Sequence, residues 1–124
     1  MQFNKVEMTA IMSMAHAMII SDGKVEDEEL SMLSNQMINF GIPLEDYKEI
    51  TLKGRDMEPD YAIDIVSKMT YEQKKYVAAF LGTIMAADGD IDNTEMALWR
   101  LLSQICSLPT MSVKDAISYM KSNY

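Results

Sequence analysis

The sequence predicts an all-α protein of about seven helices, packed as one compact bundle with an internal twofold duplication. Apolar residues recur at helical spacing, and few segments alternate apolar and polar residues as strands do. Residues 22–43 also align with residues 88–109 without a gap, at an offset of 66 positions, which indicates a duplication. A chain of 124 residues can bury roughly two thirds of its unfolded surface without a disulfide. We therefore expect a single domain over residues 1–124, with repeats of about residues 3–54 and 71–122.

The first repeat begins with a helix that we expect at the centre of the bundle. This helix is predicted over residues 3–21, and between Met8 and Ile20 it is apolar on nearly every side. Such a pattern is typical of a helix enclosed by its neighbours. Gly23 supplies a stop, and a second helix is predicted over residues 27–40, where Gly41 ends it.

The other helix boundaries follow from prolines and capping residues. Pro43 and Pro59 fit the first turns of the next two helices, the first of which is expected to end near Gly54. Thr70 and Gln73 form a capping box that opens a second central helix. The predicted ranges are 43–54, 60–69, 71–87, 93–107 and a last helix from residue 113 onward, capped by Ser112.

The most distinctive motif is an acidic box that occurs once in each repeat. Both copies read D-G-x-[VI]-x-x-x-E, over residues 22–29 and 88–95. Nine of the 19 acidic residues lie in these 16 positions, beside a single lysine. Charge this dense requires either water or a cation around it. The candidate metal ligands are Asp22, Glu29, Asp88 and Glu95, with Glu26, Asp90 and Asp92 as additional candidates.

The acidic box is not a calcium-binding EF-hand loop, although it resembles the second half of one. In that register the first and third ligand positions of the first copy fall on Met18 and Ile20, whose side chains cannot coordinate calcium. The chemistry of helix ends explains much of the box instead. Asp92 and Glu95 are expected to form a capping box at the start of a helix, and Ile91 is expected to pack inward.

Asp22 and Asp88 are not explained by helix capping. Each is predicted at the carboxyl end of a central helix, where the helix dipole makes a negative charge unfavourable. A backbone amide, a lysine or a metal ion must compensate them. Two interpretations follow: the boxes bind a divalent cation such as calcium weakly, or they are only helix-boundary structure in a protein-interaction scaffold.

The layout resembles the TerB-like tellurite-resistance domains, in which an apolar helix runs into A-D-G-x-[IV]-x-x-x-E. The matching segments are residues 21–29, with Ser21 in place of the usual alanine, and residues 86–95. The resemblance implies a non-enzymatic seven-helix module of bacterial stress and metal-response systems, whose surface acidic residues bind a metal such as calcium. The residues carried over are Asp22, Glu29, Asp88 and Glu95.

The composition limits the partners and the location. The net charge is −8, and the 11 basic residues are scattered, which excludes the phosphate neutralisation that nucleic-acid binding needs. Other proteins are the expected partners. The apolar stretch over residues 10–20 is too short to span a bilayer, and the start of the chain lacks the features of a signal peptide. A single cysteine fits a reducing compartment, so we expect a cytoplasmic protein.

His16 and Cys106 support a further alternative, an enzyme with a Cys–His nucleophilic pair. Each is the only residue of its type. His16 is expected to be a packed residue of the core or its boundary, and Cys106 an inert buried thiol on the same helix face as Trp99. The 13 methionines are expected mainly to fill the core.

Overall fold

The computed structural model describes residues 3–21, 35, 44–87 and 91–123. Within these ranges the chain forms six α-helices and no strand, so the all-helical prediction is confirmed. The helix predicted over residues 27–40 lies outside the described residues, apart from Asn35, which is helical. The six helices are α1 (Lys5–Ile20), α2 (Leu44–Asp56), α3 (Pro59–Ser67), α4 (Tyr71–Met85), α5 (Asn93–Ile105) and α6 (Val113–Asn123).

Helices α1 and α4 form the centre of the structure, as their apolar sequences predict. α4 is buried from Tyr76 to Met85 with the exception of Thr83, which is half-buried. α1 buries eight of its 16 residues, and the two helices contact each other. An apolar helix gains most from burial when neighbours cover it on all sides. The buried positions of α1 are Thr9, Ala10, Ile11, Met12, Met14, Ala15, Met18 and Ile19.

Two of the outer helices, α2 and α6, pack in the same manner, each against one central helix. α2 lies against α1, and α6 lies against α4, so the pair from one repeat has a counterpart in the other. α3 contacts α1, whereas α5 packs against α4 and also touches α1 and α3. These pairings support the duplication that the sequence indicates. The superposition of complete repeats stays a prediction, because residues 22–34 and 36–43 lie outside the described ranges.

Equivalent capping boxes open both central helices. The Asn4 side chain accepts a hydrogen bond of 2.7 Å from the Glu7 backbone N–H, and the Asn4 N–H donates to Glu7 Oε1 at 2.9 Å. Thr70 and Gln73 form the same pair of bonds, at 3.2 and 3.0 Å, as predicted. Asn4 and Thr70 are related by the 66-residue offset of the repeats. Each box pairs backbone N–H groups that the start of a helix leaves without a partner.

Gly54 has a different role from the predicted one. The sequence predicts the end of a helix near Gly54, but α2 continues to Asp56. Gly54 is buried against α1, where an added Cβ would lie 3.2 Å from Met12 Cβ and 3.3 Å from the Ser13 nitrogen. The absence of a side chain therefore allows α1 and α2 to approach closely.

Gly82 allows a similar approach where three helices meet. A Cβ added to this residue of α4 would lie 2.8 Å from Trp99 Cζ2 on α5 and 3.0 Å from Ala116 Cβ on α6. The indole N–H of Trp99 also donates to the Ala78 carbonyl at 3.0 Å. These contacts fix α5 and α6 relative to the central helix.

A small ion cluster joins the start of α1 to α2. Lys5 Nζ lies 2.7 Å from Glu49 Oε2, and Lys53 Nζ lies 2.7 Å from Glu49 Oε1. The hydrogen bonds from Lys5 and Lys53 lower the pKa of Glu49 to about 2. The bond to Glu49 also raises the pKa of Lys5.

None of the described helices is long and apolar enough to cross a membrane.

Replacement of Phe80 by alanine should cost about 3–5 kcal/mol of unfolding free energy, because Phe80 is fully buried and its removal leaves a cavity. Its ring stacks on Tyr76 with centroids 5.8 Å apart. Denaturant titration measures the loss. The matched control is Leu101→Ala on α5, where Leu101 is 51% exposed and the expected change is within about 0.5 kcal/mol. A loss below about 1 kcal/mol for Phe80→Ala would contradict the central position of α4.

Glu49→Gln should destabilise the protein at pH 7, and the difference from the wild type should shrink in acid. Because the folded state lowers the pKa of Glu49 from 4.5 to about 2, its contribution is complete above pH 4.5 and is lost as the pH falls towards 2. Urea titrations between pH 7 and about pH 2 follow the difference. The control is Asp64→Asn, which breaks one exposed ion pair within α3. A difference between wild type and Glu49→Gln that stays constant with pH would exclude this linkage.

Candidate functional site

The structure describes part of the second acidic box and none of the first. Residues 22–29 and 88–90 lie outside the described ranges, so five predicted ligands have no described position. The ligands without a described position are Asp22, Glu26, Glu29, Asp88 and Asp90. Asp92 and Glu95 are described.

Asp92 caps the amino end of α5, which confirms the N-cap half of the predicted capping box. Its backbone is extended, and its Oδ1 accepts hydrogen bonds from the N–H groups of Thr94 at 2.7 Å and Glu95 at 3.4 Å. The negative charge also lies at the positive end of the helix dipole. Capping therefore explains Asp92 without any ligand, although a second carboxylate oxygen is available for coordination.

Glu95 lies inside the structure instead of on its surface. It is only 4% exposed, whereas the family resemblance implied a surface cluster of acidic residues. Glu95 shares one face of α5 with Trp99, Leu102 and Cys106, all of which are buried. The expectation that Ile91 packs inward is wrong, since Ile91 is 37% exposed. It precedes the helix, and Glu95 takes the inward position of the first turn.

The donor chemistry of the boxes fits a hard divalent cation. Every candidate ligand is a carboxylate, and calcium and magnesium prefer oxygen ligands. Among the residues that the structure describes, no group of three or more histidine, cysteine or acidic side chains could hold a metal. Asp92 and Glu95 alone would leave most of a coordination shell to other groups. A site at this end of α5 thus depends on the box residues that precede Asp92.

His16 and Cys106 occupy the packed positions that we expected. Cys106 is fully buried, its S–H lies 3.9 Å from the Ile63 carbonyl oxygen, and burial raises its pKa. His16 is half-buried on α1, where burial and then the charge of Arg55 lower its pKa. A buried thiol with a raised pKa is a poor nucleophile, because the thiolate is the reactive form.

The structure also contains a cavity between α5 and α6, which no sequence pattern indicated. It has a volume of about 680 Å³ and extends from Met96 on α5 to Val113 at the start of α6. Trp99, Leu108 and Met111 contribute apolar walls. Its polar lining consists of Arg100, Ser103, Gln104, Ser107, Thr110 and Ser112.

Ser107 forms the turn at the base of this cavity. It has a positive φ of 57°, and it is the residue at which α5 ends in a Schellman turn. The Leu108 N–H donates to the Ser103 carbonyl at 2.8 Å, and the Ser107 N–H donates to the Gln104 carbonyl at 3.3 Å. Glycine is the usual residue at such a position, and Gly41 occupies the equivalent place in the first repeat.

Comparison with known families identifies the chain. The sequence profile described as "Tellurite resistance protein TerB" matches residues 8–118. The chain belongs to the TerB family. The resemblance inferred from the two acidic boxes is therefore confirmed, together with the helical fold that it implied.

A solved structure of another protein resembles this TerB-family chain closely. It is a protein of unknown function from Porphyromonas gingivalis W83, 42% identical, with a TM-score of 0.86 over 98% of both chains. No curated protein matches this chain. The neighbour supports the fold, but its own function is unknown, so it indicates no activity, metal or partner.

Ser107→Gly should stabilise this TerB-family chain by about 0.5–1 kcal/mol, because glycine adopts a positive φ without the steric cost of a Cβ. The greater freedom of glycine in the unfolded chain offsets part of this gain. Thermal and denaturant unfolding measure the change. Ser118→Gly, within α6, is the control and should lower stability by about 0.5 kcal/mol. Equal destabilisation by both substitutions would show that Ser107 is not strained.

Proposed function

We propose that this TerB-family chain is a non-catalytic, cytoplasmic binding module of a bacterial stress or metal response. Its two acidic boxes would bind a divalent cation weakly and present an acidic surface to other proteins. The observation that carries this proposal is the repetition of the acidic box in a chain of the TerB family. The second copy leads directly into α5, with Asp92 at the helix cap and Glu95 in its first turn.

The carboxylates support a hard cation of modest affinity. Four box residues are the primary candidates, namely Asp22, Glu29, Asp88 and Glu95. Calcium takes six to eight oxygen ligands, so water or backbone carbonyls must complete the shell. Asp92 already uses Oδ1 to cap α5, which reduces its availability. These limits favour a dissociation constant of about 0.1 mM or weaker.

The charge of the chain supports protein partners over nucleic acid. The net charge of −8 attracts basic protein surfaces and repels phosphate backbones. A cation in the boxes would change that surface charge, which gives metal binding a direct effect on the affinity for a partner.

The second candidate is a protein-interaction scaffold in which the boxes bind no metal. The capping bonds of Asp92 favour this alternative, because they explain one acidic residue by helix structure alone. A Cys–His enzyme has less support, since Cys106 is buried and its pKa is raised. Metal titration separates the two binding hypotheses.

Calcium at 1 mM should stabilise the wild type by about 1.4 kcal/mol if its dissociation constant is about 0.1 mM. This corresponds to a rise in melting temperature of a few degrees. Asp22→Asn and Asp88→Asn should reduce the rise, because each removes a charged ligand. The matched control is Asp64→Asn, an acidic residue of α3 outside both boxes, which should leave the calcium effect unchanged.

Isothermal titration with calcium, magnesium and manganese provides the decisive measurement. An absence of saturable binding below about 5 mM would exclude the metal hypothesis and leave the scaffold. In that case Asp22→Asn and Asp88→Asn should be neutral or slightly stabilising, because each removes a negative charge from the carboxyl end of a helix.

A further inference from the structure

We propose that the cavity between α5 and α6 binds a small organic carboxylate with an apolar body. The carboxylate pairs with Arg100, and the apolar body lies against Trp99 and Met111. This site is separate from the acidic boxes and does not depend on their binding a metal.

The size and lining of the cavity fit an organic molecule. Its volume of about 680 Å³ lies within the range of roughly 300–1,000 Å³ that small-molecule pockets occupy. Trp99, Leu108 and Met111 provide apolar contact, while hydroxyl and amide groups line the remaining wall. An inorganic anion would fill a small part of this volume and would leave the apolar wall without a partner.

Arg100 supplies the charge that selects an anion. Among the described residues that line the cavity, it is the only charged one. It forms no ion pair with any residue in the part of the chain that the structure describes. A guanidinium binds a carboxylate through two parallel hydrogen bonds. The amino end of α6, where Ser112 caps the helix through the Asp115 N–H at 3.1 Å, adds the positive end of a helix dipole.

The first repeat provides an internal reference for these residues. At the 66-residue offset, Ser34 stands in place of Arg100, and Met37 and Ile38 stand in place of Ser103 and Gln104. The second repeat therefore has a cation and two polar groups where the first has one hydroxyl and two apolar side chains. At these three positions the cation and the two polar groups thus occur only in the second repeat.

The two repeats also differ in acidic residues near the cavity, and this difference supports an anion as the ligand. Glu45 and Asp46 of the first repeat are replaced by Met111 and Ser112 in the second. Both replacements line the cavity. The second repeat thus lacks the two negative charges that would repel an anion next to Arg100.

Ser107 adds an independent indication of a site. The first repeat has Gly41 at this position, whereas the second keeps a serine with a positive φ. Strained positions persist when the rest of the structure holds them, and they are common at binding sites. The Ser107 side chain lines the cavity and can donate a hydrogen bond to a bound carboxylate.

Octanoate, 1-octanol and octylamine test the proposal, because they share one apolar chain and differ in the charge of the head group. Trp99 is the only tryptophan, so its fluorescence reports directly on the cavity. Octanoate should change the fluorescence saturably, with a dissociation constant on the order of 1 mM. Octanol should bind more weakly by about tenfold, and octylamine more weakly still, because neither pairs with a guanidinium.

Three variants locate the site, with the melting temperature of each as a check on folding. Arg100→Gln should weaken the binding of octanoate by about tenfold or more and leave the binding of octanol unchanged. Ser103→Met restores the residue type of the first repeat and should block both ligands by filling the cavity. Arg55→Gln is the control, since Arg55 lies on α2 and outside the lining of the cavity, and it should bind octanoate as the wild type does.

Three results would overturn the proposal. The first is the absence of saturable octanoate binding below about 20 mM, well above the affinity expected for a ligand of this size. The second is octanol binding as tightly as octanoate, which would indicate a merely apolar cavity. The third is an equal loss of octanoate binding in Arg55→Gln and Arg100→Gln. This result would indicate that octanoate is attracted to any positive charge on the protein and not to Arg100 in the cavity.

Discussion

From Tyr76 to Met85, helix α4 is apolar on nearly every side, and the need to enclose this part determines where the other helices lie. Its residues from Tyr76 to Met85 are buried except for half-buried Thr83, so α1, α5 and α6 must all cover it. Gly82 makes this possible, since Trp99 of α5 and Ala116 of α6 approach its Cα too closely to admit a Cβ. The same contact places the amino end of α5, with its acidic residues, and the cavity between α5 and α6. The described part of the second box and the cavity therefore both lie on α5, whose position depends on the packing around Gly82.

Local patterns predicted the helices and their ends, because caps and helical spacing act over a few residues. Thr70 and Asp92 cap their helices as expected. The sequence could not predict which residues meet across the bundle. Glycine is common at helix ends, but Gly54 lies within α2, where it allows α1 to approach closely. Glu95 belongs to a charged motif yet lies inside, because the inward face of α5 includes its first turn. The cavity required the relative placement of two helices, which no local pattern contains.

Comparison of the two repeats helps to distinguish residues that the fold requires from residues that a binding site requires. Features that both repeats keep, such as the capping boxes at Asn4 and Thr70, are explained by helix structure. The acidic boxes are also shared, so repetition alone does not distinguish structure from function. The sequence predicts Asp22 and Asp88 at the carboxyl ends of the central helices, where a carboxylate would oppose the dipole, and this expectation makes the distinction. Features present in only one repeat, above all Arg100, are not explained by the duplication.

The two proposed sites have opposite charge preferences and share α5. Arg100 follows Glu95 by five residues, a rise of about 7.5 Å along the helix. This axial rise is comparable to the Debye length of about 8 Å at physiological salt. Because Glu95 is buried and Arg100 is exposed, the two charges lie further apart than the rise, and salt weakens their interaction. The carboxylates of the box oppose an anion next to Arg100, and a cation held by the box would offset that repulsion. Because binding free energies are linked reciprocally, a bound carboxylate would in turn favour the cation. The shared helix would thus give the two proposed sites a coupling whose sign follows from charge alone.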